Sequence, residues 1–314
     1  MSSSIRSFRA EPLVRGNNIL GEGPLWDVTA RRLLWTDILS KCLYSLDPDT
    51  GELLQQELAS YVACMGETES GDVIAASGLG WLLFHGGLEE HEIIAEIPFD
   101  AASVRFNDGK IGPDGAFWVG TMDLNARDPI GVLYRLGVNP SGDSGSGNRG
   151  TGPTPGKRTL LTEVREMEVG LTISNGIGWS PDARSMYLTD SKQSAIYRYN
   201  FDRDRGTIED RTVVVQDVEQ PGVPDGLAVD VDGNLWSARW GAGAVICYDP
   251  KGNERARIDL PAVHVSSCCF GGENLDTLFI TTACISLTHP GELDGALFAC
   301  NNAGRGAEPY RFAT

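Results

Sequence analysis

The sequence predicts an all-β protein, a six-bladed β-propeller with four antiparallel strands in each blade, and three observations support this fold class. Short runs rich in aromatic and β-branched residues alternate with turns of Asp, Gly or Asn, which is the pattern of β-hairpins. Helical periodicity is hard to find in any window of a dozen residues. The turn-and-strand pattern recurs six times along the 314 residues, as is typical of propeller blades.

Each repeat contains two strand–turn–strand units. The turns of the first units are anchored at positions 29, 72, 114, 182, 232 and 274. The second units follow at 42–58, 81–97, 132–164, 195–215, 245–260 and 297–312. We expect the N-terminal strand EPLVRG to pair with the last blade, because an open ring would leave sheet edges exposed. A pair of stacked β-sandwiches is the alternative fold, and it is disfavoured because no linker separates two halves of the chain.

One interval between repeats is longer than the others. It contains residues 139–156, NPSGDSGSGNRGTGPTPG, a composition typical of flexible loops. Removing about this length restores the period of the repeats. We therefore predict a single β-propeller domain over 1–314, with 139–156 as a flexible surface insertion.

Charge and composition exclude several classes of partner. The formal net charge of −17, from 26 basic and 43 acidic residues, argues against nucleic acid. No stretch approaches the ~18 apolar residues of a membrane span, so we expect a soluble cytoplasmic protein. The seven cysteines form no CxxC pair, and the four histidines form no HxH or HExxH motif, so neither set supports a metal site. The sequence is silent on oligomeric state.

Three polar residues could meet in the central channel of the propeller. Each stands beside a glycine at the start of a predicted innermost strand: Glu22 in GEGP, Asn175 in SNG and Asp225 in PDG. Two carboxylates and one amide form an all-oxygen set that suits a hard divalent cation. The alternative is that Asn-Gly and Asp-Gly simply make tight turns. A separate hairpin turn lies about seven residues downstream of each dipeptide, which favours the ligand interpretation.

The corresponding stretch of the third repeat, RFNDGK, is the densest polar cluster in the chain. Strand alternation would direct Arg105 and Asn107 to one face, with Phe106 and Asp108 on the other. A guanidinium beside an amide suits the hydroxyls and carbonyl of a polyol-like ligand, although a surface salt bridge with a turn is the alternative. Downstream, Asp123 in VGTMD is either a channel carboxylate or a strand-end cap.

Four separated motifs carry a resemblance to a known family. GEGPLWD, RFNDGKIGPDGAFWVGTMD, ISNGIGWSPDARSMYLTD and PDGLAVDVDGNLWSARW together resemble the SMP-30/gluconolactonase/regucalcin family, over essentially the whole chain apart from the insertion. The resemblance implies a six-bladed propeller with one catalytic divalent metal ion that hydrolyses sugar-acid lactones. It also implies that Glu22, Asn175 and Asp225 bind the metal.

By the same resemblance, Arg105 and Asn107 contact the substrate. The position of Asp123 is often Glu in regucalcin-like members, so a substrate contact there would rely on a shorter side chain. In the implied mechanism the metal polarises the ring ester carbonyl, and Asp225 doubles as ligand and general base.

The identities of the substrate and the metal remain open at this point. The expected substrate is a neutral sugar lactone, such as gluconolactone or xylonolactone, that gives the aldonic acid. The expected cofactor is one divalent ion: Ca²⁺, Mg²⁺, Mn²⁺, Zn²⁺ or Fe²⁺. Alternative functions are a calcium-binding regucalcin-like regulatory protein, a propeller scaffold for protein partners, and a metal-dependent arylesterase or phosphotriesterase.

Overall fold

A computed structural model describes residues 5–16, 18–138, 162–218 and 220–314. Within these ranges the chain forms 25 β-strands and one three-residue 3-10 helix, Ser191–Gln193. No helix in the described part of the chain has the length and apolar character needed to cross a membrane. The predicted insertion at 139–156 lies outside the described residues.

The strands form six sheets, here numbered as blades in chain order. Blade 1 contains β3 (Gly21–Asp27), β4 (Arg32–Asp37), β5 (Cys42–Leu46) and β6 (Leu53–Glu57). Blade 2 contains β7 (Val62–Glu67), β8 (Val73–Ser77), β9 (Gly80–Phe84) and β10 (His91–Ala95). Blade 3 contains β11 (Val104–Ile111), β12 (Phe117–Asp123), β13 (Gly131–Val138) and β14 (Thr162–Leu171).

The second half of the ring is built in the same way. Blade 4 contains β15 (Ser174–Trp179), β16 (Ser185–Asp190), β17 (Ala195–Asp202) and β18 (Thr207–Gln216). Blade 5 contains β19 (Val223–Val229), β20 (Leu235–Trp240), β21 (Ala244–Tyr248) and β22 (Glu254–Asp259), with β1 (Arg6–Arg9) added at its outer edge. Blade 6 contains β23 (His264–Gly271), β24 (Thr277–Ala283), β25 (Leu297–Asn301) and β2 (Glu11–Val14).

The first strand of each blade is innermost, and each innermost strand packs against those of both neighbouring blades, which closes the ring. The molecule is therefore the six-bladed propeller that the repeats predict. We call the end of the ring where the innermost strands begin the upper face, and the end where they finish the lower face.

The N-terminus closes the ring, as predicted. Strand β2 pairs antiparallel with β25 and supplies the fourth strand of blade 6. The preceding strand β1 pairs parallel with β22 of blade 5, an addition that the repeat pattern does not reveal. The N-terminal segment thus joins two blades through backbone hydrogen bonds and covers the outer edge of each.

The last predicted strand–turn–strand unit, 297–312, is wrong in its second half. Only β25 forms there, because the edge position in blade 6 is already occupied by β2. Residues 302–314, here called the C-terminal tail, instead cross the lower face. Their backbone forms hydrogen bonds with the ends of first strands or the turns that follow them in four blades. The bonds include Gly306 N to Leu275 O, Val231 N to Arg305 O, Phe312 N to Glu67 O and Ala313 N to Gly115 O.

The hydrophobic core lies between neighbouring blades. Between blades 3 and 4, for example, Trp118 packs with Ile177, Trp179 and Met186. The Trp118 and Trp179 rings meet edge to face with centroids 6.2 Å apart. The apolar residues of the alternating pattern therefore hold the blades together, and the polar residues at the strand ends are left for the two faces of the ring.

The C-terminal tail should contribute measurably to stability. Phe312 is fully buried, whereas Tyr310 is 38% exposed. We expect Phe312→Ala to lower the free energy of unfolding by about 3–5 kcal/mol through lost burial and a cavity, and Tyr310→Ala to cost less than half as much. Chemical denaturation of both variants measures this difference, and equal small losses would show that the tail is not anchored in the folded protein.

Candidate functional site

A β-bulge interrupts every innermost strand near its upper end. In four blades two consecutive residues of the innermost strand lie opposite one residue of its neighbour: Gly23–Pro24, Asn107–Asp108, Asn175–Gly176 and Asp225–Gly226. In blades 2 and 6 the register shifts by one residue, at Ala63 and Ser266. Bulges re-aim side chains and are frequent next to active sites. Here they place the candidate ligands on the bulges or, for Glu22, on the residue immediately before one.

The bulges explain the Asn-Gly and Asp-Gly dipeptides, which are not tight turns here. Neither Gly176 nor Gly226 has a positive φ angle. A Cβ added to Gly176 would lie 2.6 Å from the Asp225 carbonyl oxygen, and one added to Gly226 would lie 2.1 Å from the Ser267 Oγ. Glycine is therefore needed because the next innermost strand approaches too closely for any side chain.

The structure brings Glu22 and Asp225 together in the channel. Both are buried, at 7% and 4% exposure. Burial, reinforced by the negative charge of Asp108, raises the pKa of Glu22 to about 8. Burial and the charges of Glu22 and Asp108 raise the pKa of Asp225 well above its ordinary value. Three carboxylates thus share one poorly solvated space, and each disfavours the ionised form of the others.

Two acceptor oxygens in this group have no hydrogen-bond donor. The Asn175 Nδ2 donates a hydrogen bond to the Ser191 Oγ at 3.0 Å, and this bond fixes the orientation of the amide. Its Oδ1 and the Oδ1 of Asp225 are buried and unpartnered. Buried acceptors without donors are costly in a folded protein, so this pair is a candidate for binding a cation.

The donor set fits a divalent cation better than it fits a purely structural role. Within the described ranges no group of three or more His, Cys, Asp or Glu residues is arranged to hold a metal ion. The candidate set here instead mixes two carboxylates, Glu22 and Asp225, with the Asn175 amide. All of its donors are oxygens, the preference of hard cations, and a positive charge would favour the ionised carboxylates.

Asp108 is a channel residue that the sequence interpretation missed. Strand alternation predicts Phe106 and Asp108 on the same face, and this is wrong because the bulge at 107–108 breaks the alternation. Phe106 is buried in the apolar core, whereas the Asp108 carboxylate interacts electrostatically with Glu22 and Asp225. No sequence signal points to Asp108, because the bulge that it shares with Asn107 is visible only once the strands are paired.

Arg105 lies at the same site. Burial lowers the pKa of its guanidinium, and the charges of Tyr61, Glu22 and Asp225 oppose that shift. Its Nη1 donates to the Phe106 carbonyl at 2.8 Å. Arg105 is thus a cation that faces Glu22 and Asp225, and Lys110 is the cation that acts on Asp108. Tyr61 is a further neighbour of Arg105 that sequence reasoning did not single out.

Asn107 is fixed by the next blade. It is buried, and its Nδ2 donates to the Ser174 carbonyl at 2.8 Å. Ser174 immediately precedes Asn175 on β15, so one hydrogen bond links the candidate substrate residue of blade 3 to the strand that carries a candidate metal ligand.

The Asp123 carboxylate is occupied by its own loop. It accepts hydrogen bonds from the backbone N–H groups of Asn125, Arg127 and Asp128 at 2.8–3.1 Å. These bonds lower the pKa of Asp123. Of the two possibilities open from sequence, this geometry is that of a strand-end cap that orders the loop after β12. A substrate contact by Asp123 would compete with these three bonds.

A cavity of about 190 Å³ lies in the channel toward its lower end. Trp26, Met65, Lys110 and Trp179 line it together with Tyr310 of the C-terminal tail. Asp108 also lines this cavity, whereas Glu22, Asn175 and Asp225 do not. The three candidate ligands therefore lie above the cavity, and the tail covers the lower end of the channel.

Comparison with known proteins assigns the family. Residues 20–284 match the family described as the SMP-30/Gluconolactonase/LRE-like region. The chain belongs to this family. It is 33% identical over 302 residues to the pentonolactonase XacC of Haloferax volcanii, which covers 93% of this chain and 94% of the relative. It is 34% identical over 274 residues to a 6-deoxy-6-sulfogluconolactonase of Pseudomonas putida, with 86% of each chain covered.

Solved structures agree with the fold of this family member. The crystal structure of a calcium-binding protein, a regucalcin from Agrobacterium tumefaciens, superposes with a TM-score of 0.87 at 25% identity and covers 99% of both chains. The predicted family resemblance is thus confirmed, and so is the propeller fold.

The raised pKa of Glu22 predicts a pH-dependent stability in the metal-free protein. A carboxyl that binds its proton more tightly in the folded protein stabilises the fold fully below its ordinary pKa of 4.5, and this contribution is lost as the pH rises through the folded-state pKa of about 8. We expect Glu22→Gln, which cannot ionise, to flatten the decline in unfolding free energy between about pH 5 and pH 9 in the presence of a chelator.

Denaturant titrations across this pH range measure the effect, and the exposed Glu89→Gln is the matched control because it removes the same charge from the surface. Identical pH profiles for the parent and for Glu22→Gln would show that Glu22 is not buried among other carboxylates.

Proposed function

We propose that this protein hydrolyses a sugar-acid lactone to its aldonic acid, with one divalent metal ion held by Glu22, Asn175 and Asp225. The observation that carries the proposal is the pair of buried, unpartnered oxygens, Asn175 Oδ1 and Asp225 Oδ1, beside the buried Glu22. Two relatives with at least 33% identity are named as lactonases of sugar acids, and this supports lactone hydrolysis as the reaction class.

The residues that would hold the metal leave room for a substrate. Three protein donors do not complete the six to eight oxygen ligands of Ca²⁺ or the octahedron of Mg²⁺, so water and the lactone carbonyl can take the other positions. When bound, the ion would polarise the lactone carbonyl and lower the pKa of a coordinated water. The oxygen-only donor set does not select among Ca²⁺, Mg²⁺, Mn²⁺, Zn²⁺ and Fe²⁺.

Asp225 is the proposed general base. Burial beside Glu22 and Asp108 raises the pKa of its carboxyl, so its affinity for a proton exceeds that of an ordinary Asp. A bound divalent cation would favour the ionised form of this carboxyl, and the carboxylate can then accept the proton of an attacking water. The water oxygen then bonds to the carbonyl carbon, the ring C–O bond breaks, and the ring oxygen leaves as a hydroxyl after taking up the proton that Asp225 had accepted.

Arg105 and Asn107 would orient the lactone. The Arg105 guanidinium carries several N–H donors, and the Asn107 amide is held in place by the Ser174 carbonyl. Hydroxyls next to the lactone carbonyl are suitable acceptors for such donors. Holding the ring in one orientation raises the rate because the reacting carbonyl then stays beside the attacking water.

The charge of the site favours a neutral substrate over an anionic one. The carboxylates Glu22, Asp108 and Asp225 outnumber the nearby cations, Arg105 and Lys110, and the whole chain carries a net charge of −17. A lactone is neutral, whereas its aldonate product is an anion. The field of these carboxylates therefore assists release of the product.

Removal of the metal and of the general base tests the proposal. We expect chelator-treated protein to lose lactone hydrolysis and to regain it with one or more divalent cations. Asp225→Asn should lower kcat by about 10²–10⁴-fold because the proton acceptor is lost. Asn175→Ala should weaken metal affinity, so its activity should recover in part at higher metal concentration. A pH-indicator assay with a panel of aldonolactones measures these rates.

The matched control is Asp232→Asn, which removes a carboxylate from an exposed turn of the same blade as Asp225. It should retain the parental rate. Full lactone hydrolysis by Asp225→Asn, or by protein free of divalent metal, would contradict the proposal. Metal binding without hydrolysis of any lactone would favour a calcium-binding regulatory protein instead.

A further inference from the structure

The bulges define equivalent positions around the upper opening of the channel. One residue in each blade lies two positions before the first bulge residue of the innermost strand. These six residues are Gly21, Tyr61, Arg105, Ile173, Val223 and His264. All except Gly21 are partly exposed, and the residue after each of them is buried. This level of the ring therefore lines the opening directly above the candidate metal ligands.

His264 stands opposite Arg105 at this level. Arg105 belongs to blade 3 and His264 to blade 6, and in a ring of six blades these two are three positions apart. The positions between them on one side are Ile173 and Val223, which have no polar side-chain atoms. A molecule bound between blade 3 and blade 6 thus contacts polar side chains at Arg105 and, on the opposite side of the opening, at His264.

The His264 ring is held by an aromatic partner. It stacks on Trp240 with ring centroids 4.1 Å apart and an angle of 10° between the planes. Trp240 ends strand β20 and pairs with Val223, two residues before Asp225. One face of the imidazole is therefore covered, and its nitrogens at the ring edge remain for hydrogen bonding. The His264 Nδ1 is buried and has no partner.

The imidazole is set up as a neutral hydrogen-bonding group. Burial lowers the pKa of His264, and the nearby Asp294 opposes this shift. Asp294 itself accepts hydrogen bonds from the Val263 N–H at 2.7 Å and the Gly291 N–H at 2.7 Å, so it is fixed by the adjacent loops. A neutral ring offers one donor and one acceptor, which matches a hydroxyl group.

We infer that His264 binds the exocyclic hydroxyl of the lactone and that Trp240 is the residue that positions it. This inference rests on the proposed function. A lactone whose ring hydroxyls contact Arg105 and Asn107 presents its opposite edge, with the exocyclic carbon, to blade 6. A hydrogen bond from that hydroxyl would satisfy the unpartnered His264 Nδ1.

The inference also narrows the substrate class. A neutral imidazole beside the Asp294 carboxylate provides no positive charge for an anionic substituent such as a sulfonate or a phosphate. The site should therefore prefer lactones with an uncharged hydroxymethyl or polyol end. In this respect it should differ from the relative named for a sulfonated gluconolactone.

A pair of substrates isolates the contact. D-Xylono-1,4-lactone carries an exocyclic hydroxymethyl group, whereas L-threono-1,4-lactone has the same ring, with the same trans hydroxyls, without it. We expect His264→Ala to raise KM for the first about tenfold with kcat changed less than about threefold, the effect of one lost hydrogen bond. KM for the second should stay within about twofold of the parent. His264→Asn, which keeps a donor and an acceptor near the ring position, should recover part of the loss.

Further variants separate positioning from contact and from folding. Trp240→Phe keeps a stacking ring and should stay close to the parent, whereas Trp240→Ala should shift KM in the same direction as His264→Ala. The exposed His289→Ala is the matched control and should not change either lactone. If His264→Ala folds poorly, as judged by its melting curve, the comparison of the two lactones is made with His264→Asn and His264→Gln.

Unchanged KM for xylono-1,4-lactone, or an equal rise for both lactones, would overturn the inference while leaving the lactonase proposal intact. Failure of the parent protein to hydrolyse any aldonolactone with any divalent cation would instead overturn the proposed function, and the inference with it.

Discussion

Each innermost strand carries one more residue than the strand beside it, at the same height in all six blades, and the site depends on this constraint. Without the bulges, period-two alternation would assign neighbouring side chains such as Asn107 and Asp108 to opposite faces of the strand. With them, side chains from strands far apart in the chain meet at one level. Gly176 and Gly226 keep the strands close enough for this, because a Cβ at either position would collide with the next strand.

The group that this arrangement collects is electrostatically unfavourable by itself. Glu22, Asp108 and Asp225 are buried together, and the charges of Arg105 and Lys110 only partly offset their repulsion. Burying charges without full compensation costs stability, so such clusters persist where function requires them. A bound divalent cation would reverse the sign of this energy. The net charge of −17 is thus mostly a surface property with one concentrated exception in the channel.

Most of the fold could be predicted from the sequence. The period of the hairpin turns predicts six blades, and the need to cover exposed sheet edges predicts that the N-terminal strand closes the ring. The sequence also indicated Glu22, Asn175 and Asp225, because each is an oxygen-bearing residue beside a glycine at the start of a predicted innermost strand. Asp108 and His264 could not be predicted in the same way. Their placement depends on an extra residue in register with other blades, and that register is visible only once the strands are paired.

The role of Asp123 is another feature that could not be predicted from the sequence. Its spacing from the third hairpin allows either a channel carboxylate or a cap, and only the positions of three backbone N–H groups distinguish the two. The C-terminal tail is a similar case, because its residues resemble a strand–turn–strand unit until the edge of blade 6 is found to be occupied. Competition between segments for one place in the fold is not readable from either segment alone.

The most direct test of this account is anomalous X-ray diffraction from a crystal of the protein soaked in Mn²⁺. The account predicts one strong peak in the upper part of the channel, coordinated by oxygens of Glu22, Asn175 and Asp225. A channel without a peak while surface carboxylates bind the ion, or a peak coordinated by a different set of residues, would contradict it.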